Sequence, residues 1–175
     1  MKGRELALAG LHAALTAVGG MVAVPLPGGV PFTMQTAFVL LAGSRLGPRL
    51  GALSQATYLA LGAVGAPVFA GMGGGVGHLL GPTGGFLLGF PAAAWLTGWL
   101  VVRHPSPAGY RMAALAGLVP VYLLGAVRLA HFIPGEAISR GVIPFLLPDM
   151  LKALLAATVA YRLRRPPGAA RTDCR

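Results

Sequence analysis

Apolar runs of roughly bilayer length, cut by glycine and proline rather than by charge, recur along this chain and leave it few folds to choose from. They occupy residues 6–24, 32–42, 50–64, 86–102, 112–132 and 148–163. A helix rises about 1.5 Å per residue and a hydrocarbon core is about 30 Å thick, so the first and fifth runs span comfortably while the second and third are short. A helix that stops early in lipid must end against protein or a watery cavity, because its backbone cannot be left unpaired there. Only 10% of the residues are charged, where a soluble domain carries about 25%. Lipid must therefore be the solvent for most of the surface. The expected fold is all-α and integral to the membrane: six transmembrane helices in one domain over residues 1–165, then a short basic tail at 166–175.

The first run is longer than the roughly 7–15 apolar residues of a secretory signal, and Pro25 and Pro27 follow it without a small-residue cleavage site. It is read as the first span. The net charge of +10 is not gathered on a polar domain, which argues against nucleic acid. Its distribution speaks instead to orientation. Lys2 and Arg4 precede the first span, Arg45 and Arg49 follow the second, Arg103 and Arg111 follow the fourth, and Arg162, Arg164, Arg165, Arg171 and Arg175 close the chain. The alternate connections, 25–31, 66–81 and 133–147, hold a single cation, Arg140. By the positive-inside rule both termini are expected in the cytoplasm. The lone Cys174 excludes an internal disulfide framework and a cysteine metal cluster.

Gly71 to Gly85 is the most biased stretch. It lacks the lysine and hydroxyl of a phosphate-binding loop, and each candidate G-x-G-x-x-G ends on Val76, His78 or Leu80. It reads either as a flexible outer turn or as a gate that closes over a ligand, with Pro82 placed to open the fourth helix and aim its amides outward. On the first helix, Ala9, Ala13 and Ala17 form a stripe of small residues. Such a stripe lets another helix approach closely, within the chain or from a partner.

Ionisable groups inside a span cost roughly 2.5–3.5 kcal/mol each, so they point to function. Arg128 lies near the outer end of the fifth span. Asp149 and Lys152 are expected in the first turn of the sixth, on one face by their i, i+3 spacing. A lysine there opposes the helix dipole and wants a negative partner. Two cations against one carboxylate leave room for an anionic ligand group. His12, Gln35, Tyr58, His78, Thr83 and Tyr122 are further polar groups in or near spans. His12 is read as packed or interfacial, and Gln35 as a buried amide in need of partners. No serine–histidine spacing or metal-ligand cluster supports an intramembrane enzyme.

Five runs, in order, resemble the BioY family, the biotin-specific S components of energy-coupling-factor transporters. They are Val30-Pro31-Phe32-Thr33-Met34-Gln35-Thr36, Leu46 to Ser54, Tyr58 to Gly71, Gly81 to Phe90, and Pro144-Phe145-Leu146-Leu147-Pro148-Asp149-Met150-Leu151-Lys152. The resemblance implies an S-component-like bundle that holds biotin near the outer surface of a prokaryotic cell membrane. It implies contacts from Asp149 and Lys152, with the loop from Phe69 to Thr83 closing over the ligand. Gln35, Tyr58, Phe69, His78, Thr83 and Arg128 complete the expected binding set, His78 and Arg128 on their chemistry alone, without a match in the family pattern. Pro148 departs from the family pattern, where glycine is more frequent, and would shift the helix start. Ala9, Ala13 and Ala17 resemble the surface that docks on a transmembrane coupling subunit. Two ATPase subunits would supply the energy, and no cofactor is expected. The alternatives are a solitary carrier and an S component for another vitamin.

Overall fold

The computed structural model describes residues 3–25 and 30–164. The tail at 166–175, Lys2, Arg165 and Pro27 lie outside the described residues. Along the chain come α1 (Gly3–Met21), a two-residue strand pair β1 (Val24–Pro25) and β2 (Pro31–Phe32), α2 (Gln35–Ala63), a 3-10 turn (Ala70–Met72), α3 (Val76–Leu80), α4 (Gly84–Arg103), α5 (Pro107–Ala130), α6 (Ala137–Gly141) and α7 (Ile143–Arg162).

The second and third expected spans are both contained in α2. Gly47 takes φ 78° and ψ −178°, a region closed to other residues, and Pro48 follows without an amide hydrogen. A straight helix would hold Gly43 and Gly51 about 12 Å apart. Instead, a Cβ on Gly51 would lie 2.9 Å from the Gly43 Cα, and the Gln35 amide bonds the Tyr58 hydroxyl further along. Thus α2 is a hairpin of two helical halves, 35–46 and 48–63, about 18 and 24 Å long. With α1, α4, α5 and α7 they make six crossings. Among the described residues three segments, Gly84–Arg103, Pro107–Ala130 and Ala137–Arg162, are long and apolar enough to cross a membrane on length and composition alone.

The connections segregate as the charges foretold. The guanidinium of Arg45 donates to the Leu163 carbonyl and that of Arg164 to the Pro105 carbonyl. These bonds bring the Gly47 bend, the α4–α5 turn and the end of α7 to one end of the bundle, and Arg4 at the start of α1 joins them. The opposite end carries the strand pair, the glycine-rich stretch and α6.

Several boundaries differ from expectation. The first helix ends at Met21 rather than residue 24, because Val24 pairs with Phe32 across the strand pair. The fourth begins at Gly84, with Pro82 left in the preceding turn. The fifth begins at Pro107, where the Ser106 hydroxyl accepts from the Gly109 amide at 3.0 Å. The sixth begins at Ile143, so Pro148 sits inside it and does not set its start. Asp149 and Lys152 therefore lie past the first turn, and the argument that Lys152 opposes the helix start does not apply.

The alanine stripe is also corrected. Ala9 and Ala13 are 4% and 3% exposed, and Ala17 packs against the same core, so this face is covered by the chain itself. The small residues of α1 that remain exposed are Gly3, Ala7, Gly10 and Ala14. Inward use of small residues continues throughout. α4 sits between α2 and α5, and it approaches so closely that a Cβ on Gly43 would lie 2.3 Å from the Ala94 carbonyl oxygen. Dispersion contacts of this kind, rather than exclusion from water, hold helices together in lipid. Gly43→Val is expected to cost at least about 1–3 kcal/mol by overpacking, read as a lowered unfolding midpoint in detergent. Gly10→Ala, with open space around its Cβ position, should not lower the midpoint, since alanine is favoured over glycine inside a helix by about 0.5–1 kcal/mol.

Candidate functional site

At the end opposite the basic turns, a hollow of about 80 Å³ lies between α2, α4, α5, α7 and the loop after α2. Its polar wall comes from α7. The i, i+3 spacing places Asp149 and Lys152 on one face, and Lys152 Nζ sits 2.8 Å from Asp149 Oδ1, both side chains more than nine-tenths buried. Neither charge is left to lipid. Thr36 donates to Asp149 Oδ1 at 3.1 Å and Tyr122 to Oδ2 at 2.7 Å, while Lys152 also donates to the Thr33 carbonyl at 2.6 Å. The ammonium further lies 3.6 Å from the centre of the Phe32 ring. Strand β2 and the residue after it thus deliver Phe32 and Thr33 to the lysine.

This arrangement revises the charge argument made from sequence. Arg128 does not join the cluster. Its guanidinium donates to the Leu80 carbonyl, and Nε lies 3.5 Å from the Gly81 oxygen. It straps α5 to the turn between α3 and α4. The cluster facing the hollow is one cation and one anion, neutral overall, so it does not by itself demand an anionic ligand group.

Of the residues expected to bind, Gln35, Phe69, His78 and Thr83 line the hollow beside Asp149 and Lys152. Gln35 is held on both sides, its Oε1 accepting from Thr33 Oγ1 at 3.2 Å and its Nε2 donating to Tyr58. Tyr58 is not in the wall. It lies behind, supporting Gln35 and meeting Phe69 edge-on at 5.6 Å. Phe69 fits against Gly62, where a Cβ would come within 2.1 Å of the ring. His78 bonds the Gly74 carbonyl at 2.9 Å and lies 5.8 Å from Phe69, which ties the short α3 to the loop. The apolar wall is completed by Phe86, Phe90 and Phe145.

Tyr122 and Thr36 were not assigned to the site from sequence. Tyr122 was visible only as one polar tip in an apolar span, and its partner is 27 residues away. Thr36 carried no signal beyond its place beside Gln35.

A small-molecule pocket usually measures about 300–1,000 Å³. At about 80 Å³ the hollow is smaller than that. In the loop beside it, Gly65, Gly71 and Gly75 take φ values of 104°, 66° and 93°, and Met72 takes 62°.

The ion pair makes a direct test of electrostatic closure. Lys152→Met would leave the Asp149 carboxylate buried without its cation, and removing one partner of such a pair costs about 3–5 kcal/mol. The double variant Asp149→Asn/Lys152→Met should recover much of that loss. Unfolding midpoints in detergent without ligand check both, and an additive double variant would show that the two groups do not act as a pair.

Comparison with known proteins places these features in a family. The family model described as the BioY family matches residues 1–168. The probable biotin transporter BioY of Pyrococcus horikoshii is 45% identical over 167 residues, covering 94% of this chain and 98% of that protein. The biotin transporter BioY of Thermotoga maritima is 43% identical over 164 residues, covering 93% and 96%. Among solved structures, the crystal structure of the S-component for biotin from an ECF-type ABC transporter superposes with a TM-score of 0.85 at 27% identity, covering 95% of each chain.

Proposed function

The chain belongs to the BioY family, and on that premise we propose that it captures biotin and mediates its uptake as the substrate-specific subunit of an ECF-type transporter. The observation that carries this reading is the neutral, fully hydrogen-bonded Asp149–Lys152 pair facing a hollow under a glycine-rich loop. A ureido ring offers two N–H donors and one carbonyl acceptor without net charge. Asp149 accepts from a ureido N–H, Lys152 donates to the ureido carbonyl, and Gln35 serves either role. Phe69, Phe86 and Phe90 enclose the fused rings. The valerate chain then runs toward the rim, where Thr83 and His78 stand. Tyr58 and Arg128 act from behind the wall and at the loop's edge.

The chain is a binding subunit rather than an enzyme. Its glycine-rich stretch has no lysine, so the energy for uphill uptake comes from partners: a transmembrane coupling subunit and two ATPase subunits. It lies multi-pass in a prokaryotic cell membrane, with the arginine-bearing end in the cytoplasm and the hollow outside.

Charge-assisted hydrogen bonds contribute about 1.5–3 kcal/mol each, which is roughly 10- to 150-fold in affinity. Asp149→Asn and Lys152→Ala should each weaken biotin retention on this scale, measured by mass spectrometry of the ligand carried through purification. Wild-type retention in both variants would remove the pair from the site. In liposomes, the chain alone should accumulate no biotin against a gradient; accumulation without partners would make it a solitary carrier.

A further inference from the structure

At the end of the bundle opposite the hollow, a second cavity of about 310 Å³ opens among α1, α2, α5 and α7. Its polar lining is Arg4, His12, Ser44, Arg45, Tyr110 and Arg164. Three arginines, from α1, α2 and the residues just past α7, thus line one space. The two ion pairs between described residues lie elsewhere, at Glu136–Arg140 and Asp149–Lys152. Glu5, in the first turn of α1, would set one negative charge against three positive ones. The excess is built in.

Two of the guanidiniums are held rather than loose. Arg45 gives one nitrogen to the Leu163 carbonyl, and Arg164 gives one to the Pro105 carbonyl while stacking 4.4 Å from the Tyr161 ring. A guanidinium has five N–H donors in a rigid fork, so an anchored one still presents several in a fixed direction. Ser44, 6% exposed, also lines the cavity, and its hydroxyl, shielded in this structure, has no hydrogen-bond partner among the described residues, as is true of Gln55 Oε1 and Thr97 Oγ1 elsewhere. Buried polar atoms without partners are rare in native proteins.

Fixed, planar donors around an excess of positive charge match phosphate oxygens. We propose that this cavity is a phosphate-binding site occupied by the headgroup of an anionic phospholipid of the cytoplasmic leaflet. The lipid source is favoured by the surroundings. Leu6, Leu11 and Leu163, beside the cavity-lining residues in sequence, are each more than half exposed, as suits side chains lying along acyl chains. Basic pockets between spanning helices on the cytoplasmic side are well suited to such headgroups. The site is separate from the proposed biotin pocket and does not depend on it.

The test uses the full chain in neutral detergent micelles doped with phosphatidylglycerol or with phosphatidylcholine, retained lipid being read by native mass spectrometry. Phosphatidylglycerol should be retained in preference. Arg45→Gln/Arg164→Gln should weaken that retention by roughly tenfold or more, Arg45→Lys/Arg164→Lys should restore much of it, and Ser44→Ala should weaken it less. Arg49→Gln/Arg111→Gln, which removes two arginines outside the cavity, should leave it unchanged. If the glutamine pair fails to fold, Arg4→Gln at the exposed start of α1 supplies the same readout. Equal retention of both lipids, or an equal loss in the Arg49/Arg111 variant, would overturn the proposal. Arginine-dependent binding of inorganic phosphate, with no preference between the lipids, would overturn the lipid assignment in favour of a soluble phosphate.

Discussion

Lipid offers no hydrogen bonds, so a charge carried into this bundle must be closed by the bundle itself. The Asp149–Lys152 pair shows what that requires. Both carboxylate oxygens are taken, by Lys152, Thr36 and Tyr122, and the ammonium is shared among Asp149, the Thr33 carbonyl and the Phe32 ring. These groups come from α2, α5, α7, β2 and the short link after β2. The placement of four elements is therefore tied to one pair of side chains, and the hollow is the space they leave beside it. A buried pair of this kind is weak evidence for stability, because desolvation offsets much of the attraction.

The same constraint explains the architecture around the pair. Helices in lipid gain little by hiding apolar area, so association rests on close approach and on internally satisfied polar groups. Small residues supply the approach at Gly43 against Ala94, and at Gly89, where a Cβ would lie 2.7 Å from the Val121 Cα. The bend at Gly47–Pro48 supplies a reversal with no long loop. It also stops the first half of α2 short, so that Gln35 and Thr36 begin the helix at the wall of the hollow. The short span foreseen from sequence thus ends where a cavity meets protein.

The two ends of the bundle divide the work by charge. The outer end is nearly free of cations in its loops, and its polar groups are paired before any ligand arrives. The inner end gathers arginines whose backbone anchors fix their direction and leave donors to spare. One end presents a neutral pair whose bonds are already made, the other an excess of positive charge with donors left over.

Much of this was legible in the residues. Apolar runs of bilayer length gave six crossings, because a backbone in lipid must bond within its own helix. The alternation of arginines gave their orientation, and the i, i+3 spacing put Asp149 and Lys152 on one face. The motifs from Val30 to Lys152 pointed to the family and its ligand. What the residues could not show was which groups would meet across helices. Arg128 counted as a third charge of the cluster until the fold carried it away to the Leu80 carbonyl. Tyr122 was one hydroxyl in an apolar span until the packing of α5 on α7 set it against Asp149. Ala9 and Ala13 formed a stripe that served equally for a partner or for the chain, and only the rotation of α1 about its axis turned them inward. Periodicity and charge act along the chain and are written in it; a hydrogen bond between helices depends on their relative rotation and depth, which the packing of the whole bundle decides.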